Sequence, residues 1–310
     1  MKPLKSSSGK RRISKKDFFL TGMALPAILM LFIFNYIPMA GLVIAFKDFR
    51  YDKGFFGSQW IGFENFEFFF KSNDAWIVLR NTIGLNFLFI VITLICSVAV
   101  AIMLDEIANR KMVKATQTIM FFPYFMSWVV IGYLLYSFLQ PELGILNTVL
   151  KSMGGQPVSW YTRPELWPSI LVIMYIWKML GYYSVIYYAS LMGIDSSYYE
   201  AAAIDGATRW QMIWRITLPL LRPIITIMLI LQIGRIMYAD FGQFFQLTRD
   251  QGALYSTTDV LDTYIFRALR VTGDIGIGSA VGCFQAVIGF LLITGTNLAV
   301  RKIDPESALF

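Results

Sequence analysis

The stretch NTIGLNFLFIVITLICSVAVAIML, residues 81–104, runs for 24 residues without an Asp, Glu, Lys or Arg. A helix rises about 1.5 Å per residue, so a run of this length covers the roughly 30 Å hydrocarbon core of a bilayer. Working outward, residues 18–46, 115–141 and 275–300 are equally free of charge, while 166–194 carries only Lys178 and 223–248 only Arg235 and Asp240. Lipid offers the backbone no hydrogen-bond partner, and these runs are too long and too solidly apolar for barrel strands, so each predicts a helix. The expected fold is an all-α polytopic membrane protein. It has six transmembrane helices at about 18–46, 77–104, 115–140, 167–194, 220–245 and 275–300, in one domain over 18–304 flanked by tails at 1–17 and 305–310.

Composition agrees. The chain is 56% hydrophobic and 15% charged, against roughly a quarter charged in an ordinary soluble domain. Its net charge of +7 equals the contribution of Lys2, Lys5, Lys10, Arg11, Arg12, Lys15 and Lys16. That cluster reads as an orientation and headgroup signal rather than a nucleic-acid surface. Arg110, Lys111 and Lys114, then Arg209, Arg215 and Arg222, then Arg301 and Lys302 fall in gaps on the same side. Both termini are therefore expected on the cytoplasmic side of the membrane. The first apolar run, at 29 residues, exceeds a signal-peptide core and is expected to stay as a span.

Cys96 and Cys283 both fall inside spans, so they predict no disulfide framework, and the sequence contains no histidine. Histidine-based zinc sites and Ser-His-Asp triads are excluded. On the outside, the aromatic-rich segment Lys47–Ala75 reads as an interfacial helix. Residues 140–165, punctuated by prolines and glycines, read as turns. Leu261, Tyr264, Ile265, Ala268 and Leu269 mark one apolar face of a short helix over 258–270. Gly278, Gly282 and Gly289 permit close helix packing in the last span.

Between the fourth and fifth spans lies SYYEAAAIDGATRW, residues 197–210, continuing to Ile216, Leu218 and Pro219. Ser196 or Ser197 can cap a short helix, three alanines favour it, and Gly206 permits a turn. A second helix over 209–217 then meets Leu218–Pro219, where proline is expected to re-aim the chain. The product is a compact helical elbow, 196–219, projecting into the cytoplasm.

This segment resembles the Glu-Ala-Ala loop of binding-protein-dependent ABC importer permeases. Glu200, Ala201, Ala202, Gly206, Ile216, Leu218 and Pro219 stand at the family's spacing, with Asp205 in the turn. The resemblance implies the type I importer permease fold and a coupling elbow that docks on an ATPase subunit. Residues 177–183, 259–264 and 276–282 are similar to MalF-type carbohydrate permeases, most of all the branch associated with complex or acidic oligosaccharides in Gram-positive bacteria. The extra N-terminal spans and large insertion of the enterobacterial maltose permease are missing, so a binding protein would dock on short outside loops.

As expectations, the resemblance implies a second homologous permease subunit, two ATPase subunits, an extracellular solute-binding lipoprotein and an oligosaccharide substrate. The chain has no Gly-rich phosphate loop ending in Lys-Ser or Lys-Thr, so no cofactor is expected in it, and ATP and Mg belong to the ATPase partners. Rival readings are an importer of another solute such as glycerol phosphate, and an intramembrane enzyme, for which Asp240 alone supplies too little chemistry.

Charged groups inside spans are costly and generally face a cavity or a partner. Trp177, Lys178, Tyr182, Gln232, Arg235, Tyr238, Asp240 and Gln285 are the candidate lining of the substrate path, aromatic rings and amides suiting sugar faces and hydroxyls. Two competing readings remain: Arg235 neutralised by Asp240, and Lys178 snorkelling to the outer interface.

Overall fold

The computed structural model describes residues 15–303 and residue 308. Most of the basic tail and most of 305–310 lie outside the described residues; Lys15 and Lys16 open the first helix rather than belonging to a tail. Helix α1 begins at Lys15–Leu31 and continues through a π turn, Phe32–Tyr36, and a tight turn, Ala40–Phe46. A two-residue hairpin, β1 (Lys47–Asp48) against β2 (Gln59–Trp60), leads to α2 (Glu64–Lys71), the expected amphipathic segment. Next come α3 (Asn73–Asp105), capped by Ser72, and α4 (Arg110–Phe121), capped by Asn109. They are followed by α5 (Trp128–Leu139), α6 (Ile145–Ser152) and α7 (Trp167–Leu191). The elbow helix α8 (Ser197–Ile204) precedes α9 (Arg209–Ile233), and α10 (Phe241–Thr248), α11 (Leu261–Arg267) and α12 (Ile275–Ile303) complete the chain.

Among the described residues five helices are long and apolar enough to cross a bilayer, and six crossings result when α4 and α5, bent by 96° at their junction, are counted as one broken span. The third predicted span is thus broken. Pro123 has no N–H for the carbonyl four residues back, and the chain tightens into a turn at Phe122–Phe125 before Ser127 caps α5. The fifth span is displaced as well. Its helix starts at Arg209, not 220, and ends at Ile233, not 245. Pro219 does not re-aim it: a π turn at Ile213–Thr217 absorbs the hydrogen bond that proline cannot give to Arg215. Within 140–165 a full helix, α6, stands where turns were expected. Asn147 organises the loop by donating to the Pro141 and Val158 carbonyls and accepting from Val158 N–H and the Trp160 indole.

Because lipid tails are as apolar as leucine, close approach rather than water exclusion holds spans together. A Cβ on Gly181 of α7 would sit 2.1 Å from the Met120 carbonyl oxygen of α4, and one on Gly132 of α5 would sit 2.7 Å from that of Gln246 in α10. Gly289 of α12 lies against Tyr238 and the Gly234 carbonyl. Three clusters fill the interior. One is built on Trp167, Leu171, Ile131 and Leu247; one, beside the elbow, on Tyr187, Leu191, Ala101 and Leu221; one on Phe69, Val78, Met237 and Val281. Helix α1 contributes little to them, exposing apolar side chains all round.

Candidate coupling elbow and polar cavity

The elbow stands clear of the bundle. Asp195 accepts from Ser197 N–H, which holds its carboxyl below the usual range, and Ser196 Oγ donates to Glu200 Oε1 at 3.0 Å. Gly206 turns the chain at φ +77°, a conformation that costs a side-chain-bearing residue about 1–2 kcal/mol. Thr208 and Gln211 form a reciprocal capping box that starts α9. Two ties fix the elbow's attitude: Tyr199 Oη lies 3.0 Å from Thr217 Oγ1, and Arg209 pairs with Glu106 at the end of α3. Glu200, Ala201, Asp205, Gly206 and Pro219 are exposed, whereas Ile216 and Leu218 are half-buried at the root. Ile204, at the tip, is 87% exposed, and nothing among the described residues covers it.

Lys178 does not snorkel. It is buried, and its ammonium donates to the carbonyls of Tyr124 (2.9 Å), Met126 (2.5 Å) and, at longer range, Pro123 (3.4 Å). It satisfies the Tyr124 and Met126 carbonyls at the α4–α5 break and adds a longer contact to the Pro123 carbonyl, which already accepts from Met126 N–H, and the Tyr124 and Trp128 rings flank the charge. The structure therefore turns Lys178 away from the cavity and makes it the staple of a broken span. Trp177, one residue earlier, is also outside the cavity lining.

The second break, between α9 and α10, has a different set of partners. Asn86 of α3 donates to the Ile236 (2.8 Å) and Tyr238 (3.2 Å) carbonyls, and Gln285 of α12 donates to that of Met237 (2.6 Å). Asp262 of α11 accepts from Ala239 N–H at 2.7 Å and from Gln285 at 3.1 Å. Burial pushes the Asp262 carboxyl above the usual carboxylate range, against the pull of those hydrogen bonds. Gln285, expected to line the path, is committed to the backbone instead. Asp240 caps α10 through Gln243 N–H and accepts from the Trp128 indole at 2.5 Å, which ties the two breaks together.

Against the second break opens a cavity of about 1000 Å³. Of the sequence candidates, Tyr182, Gln232, Arg235, Tyr238 and Asp240 line it. Tyr182 stacks on Tyr124 (4.7 Å between centroids) and Tyr175 on Phe89 (4.4 Å), giving a wall with fixed ring planes. Both acids on the wall have partners in the chain, but Arg235 is exposed and pairs with no acid among the described residues. The competing reading, in which Asp240 neutralises Arg235, does not hold, because the two form no ion pair. Sequence reading missed Asn86, Tyr175, Tyr183, Gln243 and Asp262, which also border the cavity. Asn86 and Asp262 were legible as polar residues near apolar runs; the tyrosines carry no signal that separates lining from core.

Five helices long and apolar enough to cross a bilayer among the described residues, the bent α4–α5 pair beside them, a cavity at the far end of α9 and an exposed helical elbow at its start mark a membrane permease. A family model described as the inner membrane component of binding-protein-dependent transport systems matches residues 97–305, and the chain belongs to that family. It is a transport subunit of an ABC importer, multi-pass in the membrane, and not an enzyme. It is 33% identical over 292 residues to protein LplB of Bacillus subtilis (strain 168), covering 94% of this chain and 91% of that one. It is 31% identical over 294 residues to the polygalacturonan/rhamnogalacturonan transport system permease protein YteP of the same strain, covering 95% and 90%. Among solved structures it resembles, at 36% identity and TM-score 0.86 over 94% of this chain and 97% of the other, a bacterial ABC transporter involved in import of the acidic polysaccharide alginate. A bacterial alginate ABC transporter in complex with alginate pentasaccharide-bound periplasmic protein matches at 35% identity and TM-score 0.85, over 93% and 96%.

Proposed function

We propose that this chain forms half of a translocation pore for acidic oligosaccharides, paired with a second permease subunit and fed by an extracellular binding protein. Both termini and the elbow lie in the cytoplasm. Two ATPase subunits, which bind ATP and Mg, drive the complex; one of them receives this elbow at Glu200–Gly206 and the exposed Ile204, and its closure is transmitted through α9. The single observation that carries the cargo reading is Arg235: a guanidinium without an acidic partner, on a cavity walled by ordered tyrosines, suits a sugar that presents a ring face and a carboxylate. The relatives named for polygalacturonan/rhamnogalacturonan and alginate support the same class.

The test is uptake into proteoliposomes holding the whole complex, with trigalacturonate and its methyl-esterified, uncharged counterpart. Arg235→Gln is expected to cut free-acid uptake about tenfold, the loss of one charge-assisted contact, and to leave ester uptake within about twofold. Equal loss for both sugars would sink the recognition of charge. The elbow is tested separately by Ile204→Asp. Its side chain touches little of this chain, so the subunit should fold while retaining far less ATPase on co-purification; full retention would remove the tip from the docking surface.

A further inference from the structure

Arg249 and Asp250 are the two non-glycine residues with positive φ among the described residues, at +56° and +50°. Arg249 occupies the C-cap of α10, where glycine is the usual left-handed residue. A side chain there carries strain, and such strain persists only where surrounding contacts over-determine it. Asp250 supplies them. Its N–H donates to Thr248 Oγ1 (3.3 Å), Tyr255 Oη donates to its Oδ1 (2.9 Å), and the Arg267 guanidinium lies 3.6 Å from the same oxygen. Arg267 is itself anchored on Asp259.

Pinned in this way, the turn thrusts Arg249 outward. The side chain is exposed, its guanidinium carbon lies 4.1 Å from the centroid of Tyr136, and it pairs with no acid among the described residues. Beside it runs a groove of about 200 Å³ bordered by Val129, Gly132, Tyr133, Phe245, Gln246 and Arg249. Its floor is rigid, because a Cβ on Gly132 would collide with the Gln246 backbone. Tyr133 is 68% exposed and offers a ring face beside the cation and the Gln246 amide. Helix α10 joins this groove to the cavity: Asp240 and Gln243 at its start line the cavity, and Phe245, Gln246 and Arg249 line the groove.

A cation, an exposed ring and an amide on a rigid floor match one uronate residue: carboxylate to guanidinium, apolar sugar face to ring, hydroxyl to amide. A cation that merely reached for lipid headgroups would need no strained backbone to hold it. We propose that Arg249, Tyr133 and Gln246 form an outer subsite that receives a uronate residue of the incoming chain before it reaches Arg235. This rests on the acidic-oligosaccharide reading above.

The experiment is uptake by the complete complex with its binding protein in proteoliposomes, again with trigalacturonate and its methyl ester. Arg249→Asn removes the charge but keeps a residue that tolerates left-handed backbone, so the turn should survive. The half-saturating concentration of the free acid is expected to rise about tenfold and that of the ester to stay within about twofold. Arg249→Lys should recover part of the loss, and Tyr133→Ala should weaken both sugars. An Arg249→Asn effect equal for the two sugars would mean a structural role, and no effect on either a headgroup anchor. Weaker attachment of the sugar-free binding protein would mean a protein contact. Each of these outcomes overturns the subsite. If Arg235→Gln abolishes discrimination while Arg249→Asn leaves it intact, only the outer subsite fails; if the wild-type complex imports the ester alone, the acidic reading fails with it.

Discussion

Between Phe122 and Ser127 the loosened carbonyls converge on one ammonium, that of Lys178, whereas between Gly234 and Asp240 the polar backbone is shared among Asn86, Asp262 and Gln285 from three different helices. Both breaks face the same requirement, since unsatisfied backbone groups at membrane depth cost several kcal/mol. The first concentrates the answer in a single side chain, the second distributes it. A concentrated staple makes its break rigid and intolerant of change. A distributed one leaves each member replaceable, and its members are drawn from α3, α11 and α12, so movement of any of these helices reaches the cavity wall at Arg235 and Tyr238.

The largest effect that can break this comparison is expected from Lys178→Met. Methionine fills the volume but donates nothing, leaving the Tyr124 and Met126 carbonyls without their closest partner. At about 1–3 kcal/mol for each buried group left unsatisfied, the two carbonyls should cost the folded subunit about 2–6 kcal/mol. Thermal unfolding of the purified complex measures the loss, and hydrogen exchange at Phe125 and Met126 locates it. If the variant unfolds within a degree or two of the wild type, the carbonyls have other partners and the idea of a concentrated staple is wrong.

The contrast between the two breaks also explains what the sequence made legible. The six apolar runs were readable because lipid demands length and apolarity together, and the elbow was readable because the alanine run after Glu200 and the turn at Gly206 keep their local meaning without a structure, whereas Pro219 did not redirect the chain as its type suggests. The breaks were hidden. Pro123 sits in a charge-free run that the hydropathy of its neighbours joins into one span, and the second break has Gly234 but no proline. Lys178 and Gln285 stood out as polar residues in apolar company, and that signal was sound. It cannot tell a group facing a cavity from one facing a neighbour's backbone, because both relieve the same cost. Arg235 and Lys178 look alike in the sequence; only the path of α4 into α5 separates the exposed cation from the buried one. Helix α6 was missed for a related reason, since its loop is organised by Asn147 across eleven residues to Val158 rather than by local pattern.

Smaller effects sharpen the comparison at the second break. Asp262→Ala removes the acceptor of Ala239 N–H and a partner of Gln285, and should cost about 1–2 kcal/mol; Asn86→Ala, which releases two carbonyls, and Gln285→Leu, which releases one, should each cost about 1 kcal/mol. The order matters more than the values. A distributed staple predicts that no single member approaches Lys178→Met in thermal unfolding, while the Asn86→Ala/Gln285→Leu pair exceeds the sum of its singles, because both hold the same seven-residue turn. Strict additivity would mean that the carbonyls of Ile236, Tyr238 and Met237 are satisfied independently. The second break would then be two local repairs rather than one shared support, and movement of α3 would not reach Arg235 through it.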